Sequence, residues 1–120
     1  MEALEHFELA QKEESSGPNF FNRGLTNMKL GKHEKANSDF HSALEQYKNK
    51  NESATNPGQY KVHYNMGINF RQLGQLEKSI ESFRAAIDLN EKPCAFNNRG
   101  LSYFEYADYS NAVKDFNKAI

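Results

Sequence analysis

A phenylalanine recurs along this chain in a fixed setting, at Phe7, Phe40, Phe83 and Phe116. Each stands three residues before an alanine (Ala10, Ala43, Ala86, Ala119) and four residues after a small residue (Ala3, Ala36, Ser79, Ala112). The last three each follow a glycine by sixteen residues: Gly24, Gly67 and Gly100. Asn-Arg-Gly-Leu itself appears twice, at 22–25 and 98–101, and Asn65-Met66-Gly67 is its middle counterpart. Self-similarity at a period of a few tens of residues indicates stacked supersecondary units, each too small to bury its own apolar face.

The spacing inside each unit is helical. In the last unit, Phe96, Gly100, Tyr103 and Tyr106 precede Ala112, Val113, Phe116, Ala119 and Ile120, a stripe at intervals of three and four. Leu30-Gly31-Lys32 and Leu73-Gly74-Gln75 separate two helices with a glycine at the first helix's end. Tyr106-Ala107-Asp108 takes that place in the last unit. Gly17-Pro18, Pro57-Gly58 and Lys92-Pro93 precede the first helix of each unit, where proline loses no needed donor. Seven helices are predicted: 3–13, 18–30, 34–49, 59–73, 76–89, 94–106 and 109–120. They group as a lone second helix (3–13), unit one (17–49), an inserted polar loop (50–58), unit two (59–91) and a truncated unit three (93–120).

Mid-helix glycine costs about 1 kcal/mol against alanine. Its recurrence at one repeat position predicts close approach of the paired helix, with the phenylalanines filling the gap between neighbouring pairs.

These residues resemble the tetratricopeptide repeat family. Its unit carries an early aromatic, a glycine and a second aromatic in helix A, then a small residue, an aromatic and an alanine in helix B. Phe96, Gly100, Tyr103, Tyr109, Ala112, Phe116 and Ala119 match throughout. His63, Gly67, Phe70, Gly74, Leu76, Ser79, Phe83 and Ala86 match in unit two. Phe20, Gly24, Gly31, His33, Ala36, Phe40 and Ala43 match in unit one, which departs at Asn27, where an aromatic is usual. The resemblance implies an all-α, right-handed superhelical solenoid whose A helices line a concave groove that binds a partner protein.

The resemblance places Asn22, Asn65 and Asn98 at one groove-facing position of the three units. An amide donates and accepts at once, so such a ladder suits an extended peptide backbone. The expected neighbours are Phe21, Leu25 and Lys29; Lys61, Tyr64, Ile68 and Gln72; and Asn97, Leu101 and Glu105. Co-chaperones of the family clamp a terminal carboxylate with lysines, an arginine and asparagines. Here Phe21, Leu25, Cys94 and Asn98 stand where cations or clamp asparagines are required, so that mode is not expected.

Fifteen Lys and Arg against sixteen Asp and Glu leave no one-signed field to attract nucleic acid or an anionic membrane. One cysteine, Cys94, excludes a disulfide framework and suits a reducing compartment. The acidic opening, Met1 to His6, is no signal peptide, and no apolar run reaches the roughly 20 residues that span a bilayer. A cytoplasmic setting is expected. His6, His33, His41 and His63 lack metal-ligand spacing, and no phosphate loop or nucleophile motif occurs; no cofactor and no enzymatic activity are expected. Val113 and Ile120 should face a following unit, which suggests a segment of a longer array or end-to-end self-association. The alternative to groove binding is a scaffold segment packed through its ends and convex face.

Overall fold

The computed structural model describes residues 16–49 and 57–120. Among the described residues six helices follow one another: α1 (Gly17–Lys29), α2 (His33–Asn49), α3 (Pro57–Gln72), α4 (Leu76–Leu89), α5 (Pro93–Glu105) and α6 (Tyr109–Ala119). No strand occurs among the described residues. The predicted helix at 3–13 and residues 50–56 of the predicted loop lie outside them. α3 begins at Pro57, two residues ahead of the predicted start, because a proline at the first helical position gives up no needed hydrogen bond.

Short turns fold the helices into three hairpins: unit one (α1, α2), unit two (α3, α4) and unit three (α5, α6). Each turn ends its first helix in the same way. The N–H groups of Gly31 and Lys32 reach the carbonyls of Met28 and Asn27, and Gly74 and Gln75 repeat this on Arg71 and Phe70. This closure needs a left-handed residue, and Gly31 and Gly74 supply φ of +79° and +78°. Ala107 makes the same turn at φ 67° with a side chain that disfavours it. Asp108 then caps α6, its carboxylate accepting from the Asn111 backbone N–H at 3.3 Å.

Within each hairpin, phenylalanine lies on glycine. A Cβ built on Gly24 would stand 2.6 Å from Phe40, on Gly67 2.6 Å from Phe83, and on Gly100 2.7 Å from Phe116. The rings therefore fill the space inside their own pair, which the prediction had assigned to the gap between pairs. Phe40 reaches a seam as well, clustering with Val62, Met66 and Phe70 of the next unit. A second cluster joins Tyr60, Ala86 and Ile87 of unit two to Ala95 and Phe96 of unit three.

Two ion pairs fasten A helices to B helices. Arg23 meets the Asp39 carboxylate at 2.6 Å. Arg99 grips Asp115 with two bonds of 2.8 Å. That pairing, with both partners largely buried, holds the Arg99 guanidinium above its ordinary pKa. Unit two has Met66 and Ser82 at these positions, neither of which can form such an ion pair.

The seams between units differ in chemistry. Between units one and two, the fully buried Asn69 amide donates to the His33 carbonyl at 2.8 Å and to Asn37 Oδ1 at 2.7 Å. Its oxygen takes the His33 Nδ1–H at 2.6 Å. Between units two and three, Ser79 donates to the Gly67 carbonyl and receives the Ser102 hydroxyl, both at 2.7 Å. No buried polar side-chain atom among the described residues lacks a partner, as a well-formed core requires.

Candidate functional site

Besides the contacts between successive helices, α1 touches α3 and α3 touches α5. The three A helices thus form one continuous surface, and every residue expected in the groove lies on them. The stack measures 54 × 31 × 20 Å.

In unit one, Phe21 is half-buried with its ring 5.9 Å from that of Phe40, and Leu25 packs on the same core. Asn22 and Lys29 are exposed. In unit two, Tyr64 stacks on Tyr60 and sets its edge on Phe83, at centroid distances of 5.9 and 5.8 Å. Ile68 and Asn65 are half-buried, while Lys61 and Gln72 project into solvent. In unit three, Asn97, Leu101 and Glu105 are exposed and Asn98 is half-buried. The face therefore alternates apolar centres (Phe21 and Leu25, Tyr64 and Ile68, Leu101) with polar groups.

The three asparagines share a repeat position but not a hydrogen-bonding state. Asn22 is exposed, and its backbone carbonyl accepts from Thr26. Asn65 donates to the Lys61 carbonyl of its own helix at 2.9 Å. Asn98 is held from all sides. The Arg71 guanidinium donates to its carbonyl and to its Oδ1, each at 3.0 Å. Its amide donates to the Tyr64 hydroxyl at 2.8 Å and to the Cys94 carbonyl at 2.9 Å. The difference traces to the preceding unit. Arg71 stands one turn beyond Ile68, and unit one has Met28 at the equivalent place, so Asn65 receives no such fork.

Arg71 was absent from the expected groove residues. Its signal was its spacing, three residues after Ile68 and next to Gln72 on the same helix face. Tyr64 and Tyr60 both titrate above their ordinary value, chiefly through burial and then through the neighbouring Cys94. The Tyr60 hydroxyl lies 3.7 Å from the exposed Cys94 sulfur. Burial, with Lys48 and His41 adding to it, holds the half-buried His63 ring below its ordinary value. Among the described residues no group of three or more His, Cys, Asp or Glu is placed to hold a metal ion.

The tetratricopeptide repeat family model matches residues 18–92, more than half of the chain. The chain belongs to the tetratricopeptide repeat family. Solved structures carry the same fold. One crystal structure of MamA protein superposes with a TM-score of 0.80 at 20% identity, covering 98% of this chain and 61% of that one. A second MamA crystal structure gives 0.76 at 21% identity, covering 88% and 57%. The chain thus spans about three-fifths of the MamA chains it matches. The second tetratricopeptide domain of Spaghetti (RPAP3), bound to the HSP90 peptide SRMEEVD, gives 0.73 at 19% identity and covers 93% of this chain and 95% of that one. No curated protein matches in sequence. The fold is the right-handed superhelical solenoid of this family.

Proposed function

We propose that the chain is a protein-interaction module that holds a partner peptide or helix along the surface of α1, α3 and α5. The observation that carries this reading is the continuity of that surface, with apolar centres in each unit and exposed polar groups between them. Such a face offers anchors at helical or extended spacing. Its affinity would come from Leu25, Ile68 and Leu101, and its register from Asn22, Asn65 and the exposed Lys29, Lys61, Gln72, Asn97 and Glu105. Asn98 would contribute through the rigid Arg71–Asn98–Tyr64 cluster more than through a free amide. The family's use as a binding scaffold, and the peptide held by the RPAP3 domain, support the same reading.

The reading assigns no catalytic step, cofactor or nucleic acid to the chain. Among the described residues no helix is long and apolar enough to cross a membrane. A cytoplasmic, reducing setting suits the lone exposed thiol of Cys94.

Co-purification from cell extract tests the reading, with wild type beside Lys61→Glu/Leu101→Glu on the inner face and Glu81→Lys/Arg84→Glu on the exposed face of α4. The expected result is loss of partners from the inner-face variant only. Loss from the α4 variant alone would overturn it. Against an identified partner, Asn22→Ala/Asn65→Ala should weaken binding by about 0.5–1.5 kcal/mol per bond lost.

A further inference from the structure

Three lysine or arginine side chains are half-buried among the described residues: Arg23, Arg71 and Arg99. Two of them close on a carboxylate, and both do so with the same edge. Arg23 sets Nε and Nη2 on Asp39 at 2.8 and 2.6 Å. Arg99 sets Nε and Nη2 on Asp115, both at 2.8 Å. That edge of a guanidinium matches the two oxygens of a carboxylate, and the two-bond form is a strong pairing.

Arg71 is engaged differently. Its Nη1 and Nη2 donate to the Asn98 carbonyl and Oδ1, each at 3.0 Å, and both acceptors are neutral. The Phe83 ring centroid lies 6.0 Å from its central carbon. Among the described residues Arg71 meets no carboxylate, and its Nε–H has no acceptor. A guanidinium carries five N–H donors, so the edge that Arg23 and Arg99 use is left over here. Asn98 also fixes where that edge lies. Its amide is tied to the Tyr64 hydroxyl at 2.8 Å and to the Cys94 carbonyl at 2.9 Å. The guanidinium is therefore oriented before a ligand arrives, which lowers the cost of binding one.

Placement decides which carboxylate fits. Ile68 stands one turn before Arg71 on α3, and Leu101 one turn after Asn98 on α5. An anion held by Arg71 thus has an apolar centre on either side. Beyond Ile68 lie Phe21 and Leu25 of α1. A segment that uses these centres runs past Arg71 in both directions, which a chain end cannot do. The charge of the inner face agrees: Lys29, Lys61 and Arg71 stand against Glu105.

We propose that the open edge of Arg71 binds an aspartate or glutamate side chain inside the partner segment, with apolar residues to either side on Ile68 and Leu101. The proposal rests on the inner-face reading above and adds the chemistry at its centre. Asn98 is a positioning residue for the guanidinium.

The test selects random peptides of about eight residues, enough when extended to cross three helices packed about 8–10 Å apart. They are fused at their C-termini to a carrier, so no peptide end carries a free carboxylate. Selected sequences should hold an Asp or Glu between apolar residues. Synthesised with blocked ends, such a peptide should shift the Arg71 Nε–H and the Ile68 and Leu101 methyl signals in NMR spectra of the whole chain. Changing its acid to the amide should weaken binding about tenfold. Arg71→Met should cost the acidic peptide the same factor and leave the amide peptide unchanged, which also shows that the variant keeps its fold. Arg71→Lys should recover only part, because an ammonium cannot close both bonds. Peptides that shift Ile68 and Leu101 but hold no acid, or that lose equally with and without the acid in Arg71→Met, would overturn the proposal and leave the inner-face reading standing. So would tighter binding when the acid is moved to a free chain end. Selection that yields no peptide shifting Ile68 and Leu101 would overturn both.

Discussion

Gly67→Ala sets two effects of known sign against each other. In an ordinary helix interior the change gains about 1 kcal/mol from backbone entropy. Here the new methyl carbon would stand 2.6 Å from Phe83 Cε1 and 2.7 Å from both Cδ1 and Cζ. Carbon pairs rest at roughly 3.5–4.0 Å, so the ring must withdraw by about 1 Å. It has little room: Phe83 is fully buried, Tyr64 sets an edge against it at 5.8 Å, and the Arg71 guanidinium lies 6.0 Å from its centroid. Overpacking of this kind costs about 1–3 kcal/mol, so the expected net loss is about 1 kcal/mol. Urea unfolding followed by circular dichroism measures it. A double-mutant cycle with Phe83→Leu isolates the cause, because shortening the side chain opens the space the methyl needs. The double variant should therefore be more stable than the sum of the single changes predicts, by about 1–2 kcal/mol. A Gly67→Ala variant that gains the full helical increment and shows no coupling to position 83 would refute the packing argument.

Two further measurements bear on the turns and on titration. Ala107→Gly relieves a left-handed alanine costing about 1–2 kcal/mol, partly offset by the freedom glycine adds to the unfolded chain; a rise in stability of roughly 0.5–1 kcal/mol is expected in the same urea assay. For His63, burial holds the folded-state value below the unfolded one, so unfolding takes up a proton on acidification. Its contribution is present in full above about pH 6.5 and is lost as the pH falls through the folded value. Thermal melts across this range should show wild type losing stability relative to His63→Gln on acidification; parallel curves would contradict the assignment.

What could be read from the sequence was whatever a single helix carries in its own spacing. The glycine–phenylalanine register, the breaks at Gly31 and Gly74 and the helix pairs all follow from periodicity. Pairings across helices depend on how far each helix is rotated, which spacing alone leaves open. The Arg71 fork on Asn98 was missed for that reason, and Asn22, Asn65 and Asn98 looked equivalent although the preceding unit makes them different. The Arg99–Asp115 and Arg23–Asp39 pairs did leave a trace. Arginine precedes the repeat glycine and aspartate precedes the repeat phenylalanine in the same two units, at the same separation of sixteen.

The unlike seams carry a consequence for how the chain assembles. A solenoid of identical repeats can fold with one unit looped out, because each unit fits every neighbour equally well. If α5 docked on α2 in place of α3, Ser102 would arrive opposite His33 and Asn37, and a hydroxyl cannot replace both ends of the Asn69 amide. Leaving a buried amide or imidazole group unpaired costs about 1–3 kcal/mol, on top of the surface that unit two would leave bare. The amide at one junction and the hydroxyls at the other therefore act as an address for each unit, so that the order of the units in space follows their order along the chain.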